Sequence, residues 1–127
     1  MAIKFKTQPR KNPQDMVAPE KFYAAAIGNG ETDMEALAEM ISYQSTLTDT
    51  DCYAVLRSLE HNIINELNQC RIVKLGSLGN FQVGLSSEGK ATPEEVTAVD
   101  VKKSRIIFRP GKKLRTLLKT VNYQKAS

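Results

Sequence analysis

The sequence predicts an α+β protein in which a pair of helices is set apart from an antiparallel sheet. Three observations lead there. Residues alternate with a period of two at the start of the chain and again after residue 71. Two neighbouring stretches between residues 34 and 68 carry apolar residues at helical spacing, and a third such stretch follows Pro110. A run of helices flanked by runs of strands is the pattern of segregated layers rather than of alternating strand–helix units.

The first strand is read over residues 2–7, with Ile3, Phe5 and Thr7 on one side and Lys4 and Lys6 on the other. Pro9, Pro13 and Pro19 then mark residues 8–20 as loop. Lys21 to Ile27 forms a second strand, ended by Gly28-Asn29-Gly30. Thr32-Asp33-Met34-Glu35 has the spacing of a capping box with Thr32 at the N-cap, and Met34, Leu37, Ala38 and Ile41 follow as an amphipathic stripe. Thr48-Asp49-Thr50-Asp51 repeats the start signal. Cys52, Val55, Leu56, Leu59, Ile63 and Leu67 then carry a longer helix to about Asn68.

Beyond it, Arg71–Leu75 reads as strand, Gly76-Ser77-Leu78-Gly79 as a turn and Phe81–Leu85 as strand. Ser86–Glu94 breaks the pattern as a loop, and Val96–Phe108 reads as one long strand. Leu114, Leu117, Leu118 and Val121 form the third helix, with Pro110 near its start, and Val121–Lys125 is open to a return to strand. Residues 1–31 form an N-terminal β extension and residues 32–127 the main unit.

Charge is unevenly distributed. The chain of 127 residues has net charge +4, with 41% hydrophobic and 25% charged residues. Residues 1–30 are net +3, residues 31–70 net −7 and residues 71–127 net +8. An acidic stretch beside a strongly basic one points to a polyanion partner for one face. No apolar run approaches the roughly 20 residues of a membrane span, and the start of the chain has no apolar signal region, so a cytoplasmic protein is expected. Cys52 and Cys70 lie 18 residues apart around one helix, roughly 27 Å at a rise of ~1.5 Å per residue. They are therefore expected to be free thiols, as in a reducing compartment.

Nothing suggests catalysis. His61, the only histidine, falls off the Leu59/Ile63 stripe and reads as solvent-facing. No Cys/His cluster has zinc spacing, no phosphate-loop or dinucleotide fingerprint occurs, and no nucleophile is paired with a base. No metal, cofactor or small-molecule substrate is expected. Glu31, Asp33, Glu35 and Glu39 cluster at a helix start, where carboxylates favour the dipole.

Two segments carry the functional reading. They are Lys74-Leu75-Gly76-Ser77-Leu78-Gly79-Asn80-Phe81 and Phe108-Arg109-Pro110-Gly111-Lys112-Lys113-Leu114. A glycine-rich turn brings backbone amides close to a phosphate, with Ser77 as a hydroxyl donor. Arg109, Lys112, Lys113, Arg115 and Lys119 crowd the start of a helix, whose dipole and N–H groups also favour an anion.

Both segments, in this order and behind a helix pair, resemble the HU/integration-host-factor family of bacterial histone-like proteins. The resemblance covers about residues 33–119, and the longer form is similar to the HU-related proteins of Bacteroides-type bacteria. It implies an intertwined dimer with a helical base, a three-stranded antiparallel sheet, a protruding β-arm and a C-terminal helix, the extra N-terminal strands lying outside this pattern. It also implies non-enzymatic binding of double-stranded DNA with little sequence preference, and a role in shaping and condensing the nucleoid. By resemblance Arg109, Lys112 and Arg115 match the family's flank-contacting cations, and with Lys74, Gly76, Ser77, Gly79, Lys102, Lys103, Arg105, Lys113 and Lys119 they make up the expected DNA contacts. Leu78, where the family has Phe, joins Phe81 and Phe108 in the implied dimer core.

The arm departs from the family. The family's tip carries Arg-Asn-Pro, whose proline wedges between base pairs. Here the tip reads Ser87-Glu88-Gly89-Lys90-Ala91-Thr92-Pro93-Glu94-Glu95, with three carboxylates and one lysine. Weaker binding, or less bending, is the expectation. The competing expectation is a protein of this fold that has lost DNA binding and acts in protein–protein assembly.

Overall fold

The computed structural model describes residues 2–126. The chain divides into two units, Met1–Glu31 with Leu117–Ser127, and Thr32–Thr116.

The first unit is a three-stranded sheet of β1 (Ala2–Arg10), β2 (Lys21–Ala26) and β6 (Asn122–Lys125), in the order β2-β1-β6. β1 pairs antiparallel with β2 and parallel with β6. β1 runs three residues beyond the expected end and takes in Pro9, which lies opposite Phe22. The reason is the length of β6, which pairs only with Ala2–Phe5. From Lys6 onward β1 is an edge on that side, where a residue lacking N–H is tolerated. The segment after Val121 does return to strand, so the sheets are not purely antiparallel as expected.

The second unit begins with α1 (Met34–Tyr43) and α2 (Asp49–Asn68). The N-cap of α1 is Asp33, not Thr32. Its carboxylate accepts from the Ala36 amide at 2.9 Å, one residue later than the capping-box spacing suggests. Thr48 caps α2 as expected, accepting from the Asp51 amide at 3.1 Å. Cys70 ends the turn after α2 with φ 59°, the left-handed position usually given to glycine. Both cysteines are free, Cys52 buried and Cys70 exposed. His61 is exposed and sits 3.1 Å from the Asn65 amide nitrogen.

The sheet of this unit is β3 (Val73–Lys74), β4 (Gly79–Ser87) and β5 (Val101–Pro110), antiparallel in the order β3-β4-β5. β3 is shorter than the expected Arg71–Leu75. The long strand expected from Val96 starts only at Val101. Residues before it form two short 3-10 turns, Pro93–Glu95 and Ala98–Asp100. The cause is local: the Asp100 carboxylate accepts from the Thr97 amide at 2.8 Å, which bends β-prone residues away from pairing. α3 (Lys112–Thr120) follows β5.

Packing is shallow throughout. Among the described residues only Ala38 and Cys52 are buried apolar side chains. The helices leave Leu37, Met40, Val55, Leu59 and Ile64 largely exposed.

Candidate nucleic-acid interface

Opposed residues of an antiparallel pair share a face, so strand register sorts the second sheet into two surfaces. One carries Val73, Phe81, Val83 and Leu85 opposite Phe108, Ile106 and Ser104. This apolar face borders an open groove of about 570 Å³ lined by Ile64, Leu67, Val83, Leu85 and Ile106. The other carries Asn80, Gln82, Gly84 and Ser86 opposite Arg109, Ile107, Arg105 and Lys103. Lys74 pairs with Asn80, which pairs with Arg109. The three therefore form a row across three strands, spaced ~4.8 Å apart. The polar face thus gathers Lys74, Arg109, Arg105 and Lys103.

The two glycine-containing segments lock together, backbone against backbone. The Gly111 amide donates to the Leu78 carbonyl at 2.8 Å and the Lys113 amide to the Ser77 carbonyl at 3.3 Å. Within the turn, the Leu75 amide donates to Gly79 at 2.9 Å and Leu78 to Leu75 at 3.2 Å. No side chain fits between these strands of backbone. A Cβ on Gly111 would strike the Ser77 carbonyl, and one on Gly79 would strike the Arg109 carbonyl and lie 2.8 Å from the Phe108 ring. Gly79 also has φ +145°, which L side chains rarely adopt. Gly76, at φ +60°, lies in open space. So the turn's first duty is to hold the start of α3, and one of the helix's leading N–H groups, that of Lys113, is already taken by Ser77.

This lock puts Lys112, Lys113 and Arg115 at the start of α3, next to Arg109 at the end of β5, all exposed. Lys119 lies in the last turn of the helix. Among the described residues none of Lys74, Lys103, Arg109, Lys112, Lys113, Arg115 and Lys119 is in an ion pair. Neighbouring cations without a carboxylate repel one another unless an anion is near.

The arm is different. Lys102 falls where the register slips, between the pairs Ser86–Lys103 and Ser87–Val101, and its ammonium lies 3.4 Å from Glu88. Arg105 lies across Gly84 and donates to the Leu85 carbonyl at 3.0 Å and the Ser86 hydroxyl at 3.3 Å. Lys90 lies 3.5 Å from Asp100. Of the arm cations expected to meet DNA, Lys103 alone among the described residues has no such engagement.

Phe81 and Phe108 pack with ring centroids 4.9 Å apart. Phe108 is nevertheless 41% exposed and Leu78 56% exposed, so within one chain neither is core. Sequence reasoning passed over Asn80 and Gln82, which share the polar face with Arg109 and Arg105. The alternation Asn80-Phe81-Gln82-Val83 is the signal that identifies them.

No curated protein sequence matches the chain. The fold is similar to that of a solved structure from Bacteroides vulgatus ATCC 8482, described as "a Putative bacterial DNA binding protein", with a TM-score of 0.61 and 14% identity. The similarity covers 97% of this chain and 48% of that one, so this chain spans about half its length. A family model, described as an HU domain fused to wHTH, Ig, or Glycine-rich motif, matches residues 1–125. With the turn-and-junction lock and a match of that extent, the chain belongs to the HU-HIG family.

Proposed function

We propose that this protein binds double-stranded DNA as a homodimer, with little sequence preference, and shapes the nucleoid in the cytoplasm without enzymatic activity. One observation carries the reading: the lock between residues 76–79 and 109–113 gathers Arg109, Lys112, Lys113 and Arg115 at the junction of β5 and α3, and among the described residues none of them is in an ion pair. The cross-strand row of Lys74, Asn80 and Arg109 continues that surface. Such groups contact phosphate and sugar, which fix position and carry no base information. Membership in a family defined by an HU domain, and a structural neighbour described as DNA binding, support the same ligand.

The dimer is supported by the missing core. Fully burying a large apolar side chain contributes about 1.5–3 kcal/mol. Covering half-exposed Leu37, Met40, Val55, Leu59, Ile64, Leu78, Ile106 and Phe108 would contribute on the order of 10 kcal/mol, as much as the whole stability of a domain. Leu78, Phe81 and Phe108 are then the partner-facing cluster. Sedimentation should find a dimer down to the concentration at which the fold itself is lost, because folding and association are coupled.

The test is anisotropy of a labelled mixed-sequence duplex, titrated at several salt concentrations. Log affinity should fall linearly with log salt, with a slope of about −0.9 per phosphate neutralised. A folded dimer that fails to bind at low salt would refute the reading. A second reading, assembly with other proteins through the arm, is favoured by the internal pairing of Lys102 and Lys90. Deleting residues 86–95 separates the two: duplex binding through Arg109, Lys112, Lys113 and Arg115 persists under the first, and self-association changes with no duplex binding in the intact chain under the second.

A further inference from the structure

The sheet of the first unit is also two-faced. Ile3, Phe5 and Thr7 of β1 share one face with Tyr123, Ala26, Ala24 and Phe22, where Lys125 is the one cation among the described strand residues. The opposite face carries Lys4, Lys6 and Arg10 of β1 with Lys21 and Tyr23 of β2. All five of these side chains are exposed. The Arg10 guanidinium lies over the Tyr23 ring, 5.6 Å from its centroid, which holds it in place on the sheet. Among the described strand residues no carboxylate lies on this face, and none of the four cations is in an ion pair. A face kept merely soluble mixes both signs. This one does not.

We infer that the face carrying Lys4, Lys6, Arg10 and Lys21 is a second phosphate-contacting surface for duplex DNA. The row from Lys4 to Arg10 is a fixed line of charge of roughly 20 Å at ~3.3 Å per residue. Its complement is a line of opposite charge, and duplex DNA offers one phosphate per ~1.7 Å of axis. The rival polyanion is the acidic helix pair of a second copy, but four of the eight carboxylates of residues 31–70 are occupied locally. Asp33 holds the Ala36 amide, Asp49 the Thr50 amide, Glu39 the Tyr43 hydroxyl and Glu66 the Arg71 guanidinium. The inference takes its ligand from the proposed duplex binding, but its residues are separate from those of the first site.

Salt-dependent titrations of a mixed-sequence duplex test it with the full chain as wild type, as K4Q/K6Q/K21Q and as K112Q/K113Q/R115Q. The first variant leaves Arg10 on Tyr23 and touches only exposed side chains. It should bind on the order of tenfold more weakly to every sequence, with a slope shallower by about 0.9 for each phosphate no longer neutralised, up to about 2.7. K4R/K6R/K21R should keep the wild-type slope. A wild-type slope in K4Q/K6Q/K21Q beside a shallower one in K112Q/K113Q/R115Q overturns this inference and leaves the first site standing. The reverse pattern upholds the inference and removes the first site. Altered sedimentation with an unaltered slope assigns the face to a protein partner and overturns the inference. Absence of duplex binding by the wild-type chain overturns both readings together.

Discussion

The floor of the candidate interface and the tip of the arm belong to the same hairpin, yet they handle charge and backbone in opposite ways. At the floor, Gly79 and Gly111 let two segments press backbone to backbone, and among the described residues the cations beside them are in no ion pair. At the tip, Gly89 lies in open space, Lys102 meets Glu88 and Lys90 meets Asp100. Cations left without partners by a rigid backbone suit an outside anion. Cations neutralised by their own loop do not. Position in the hairpin, rather than the number of lysines, therefore decides which part is open to an outside anion.

The largest effect should come from breaking the floor. Gly111→Ala or Gly79→Ala forces a Cβ into a carbonyl, and should destabilise the fold by roughly 2–4 kcal/mol. That corresponds to a fall in melting temperature of about 10 °C. Gly89→Ala should leave the melting temperature unchanged, and equal losses at all three positions would erase the contrast.

Next in size is K112Q/K113Q/R115Q. DNA affinity should fall by a similar factor on unrelated sequences, and the salt slope should become shallower by up to about 2.7. Loss confined to one sequence would instead assign these residues to base readout.

A smaller change is expected from Asp100→Asn. Asp100 is 7% exposed and its carboxylate holds both the Thr97 amide and Lys90. Weakening that cap should cost about 1 kcal/mol, confined to the tip. Amide exchange should quicken across Thr97–Asp100 and stay constant in α1 and α2. The smallest effect belongs to Glu88→Gln. Its ion pair with Lys102 joins two side chains more than half exposed, so stability should shift by less than about 0.5 kcal/mol. DNA affinity should rise slightly as Lys102 is released, and an unchanged affinity would exclude Lys102 from the interface.

Much of this was legible in the chain. The helix pair and its Thr48 cap follow from 3.6-residue spacing and a hydroxyl three residues before the Asp51 amide. The extra strand residues around Pro9 were not, because proline's tolerance there depends on where β6 stops. Nor was the late start of β5, because one buried carboxylate, Asp100, outweighs the β propensity of Val96 and Val99. Each site residue is legible singly, from its own chemistry or from the family resemblance. Their arrangement was not readable. Lys74 and Arg109 are 35 positions apart in the sequence and become neighbours only through Asn80.

By itself the sequence determined which segments turn helical or extended, where the cations concentrate, and that two glycine-bearing segments matter. These properties are local: they depend on residue type and on spacing of two or of 3.6. The tertiary structure decided which cations share a face and which are neutralised by a nearby carboxylate. It also decided that Ser77 and Leu78 carbonyls hold the start of α3, and that β6 returns to lie parallel to β1. Those outcomes depend on strand register and on backbone approach between distant residues, for which no local pattern carries a signal.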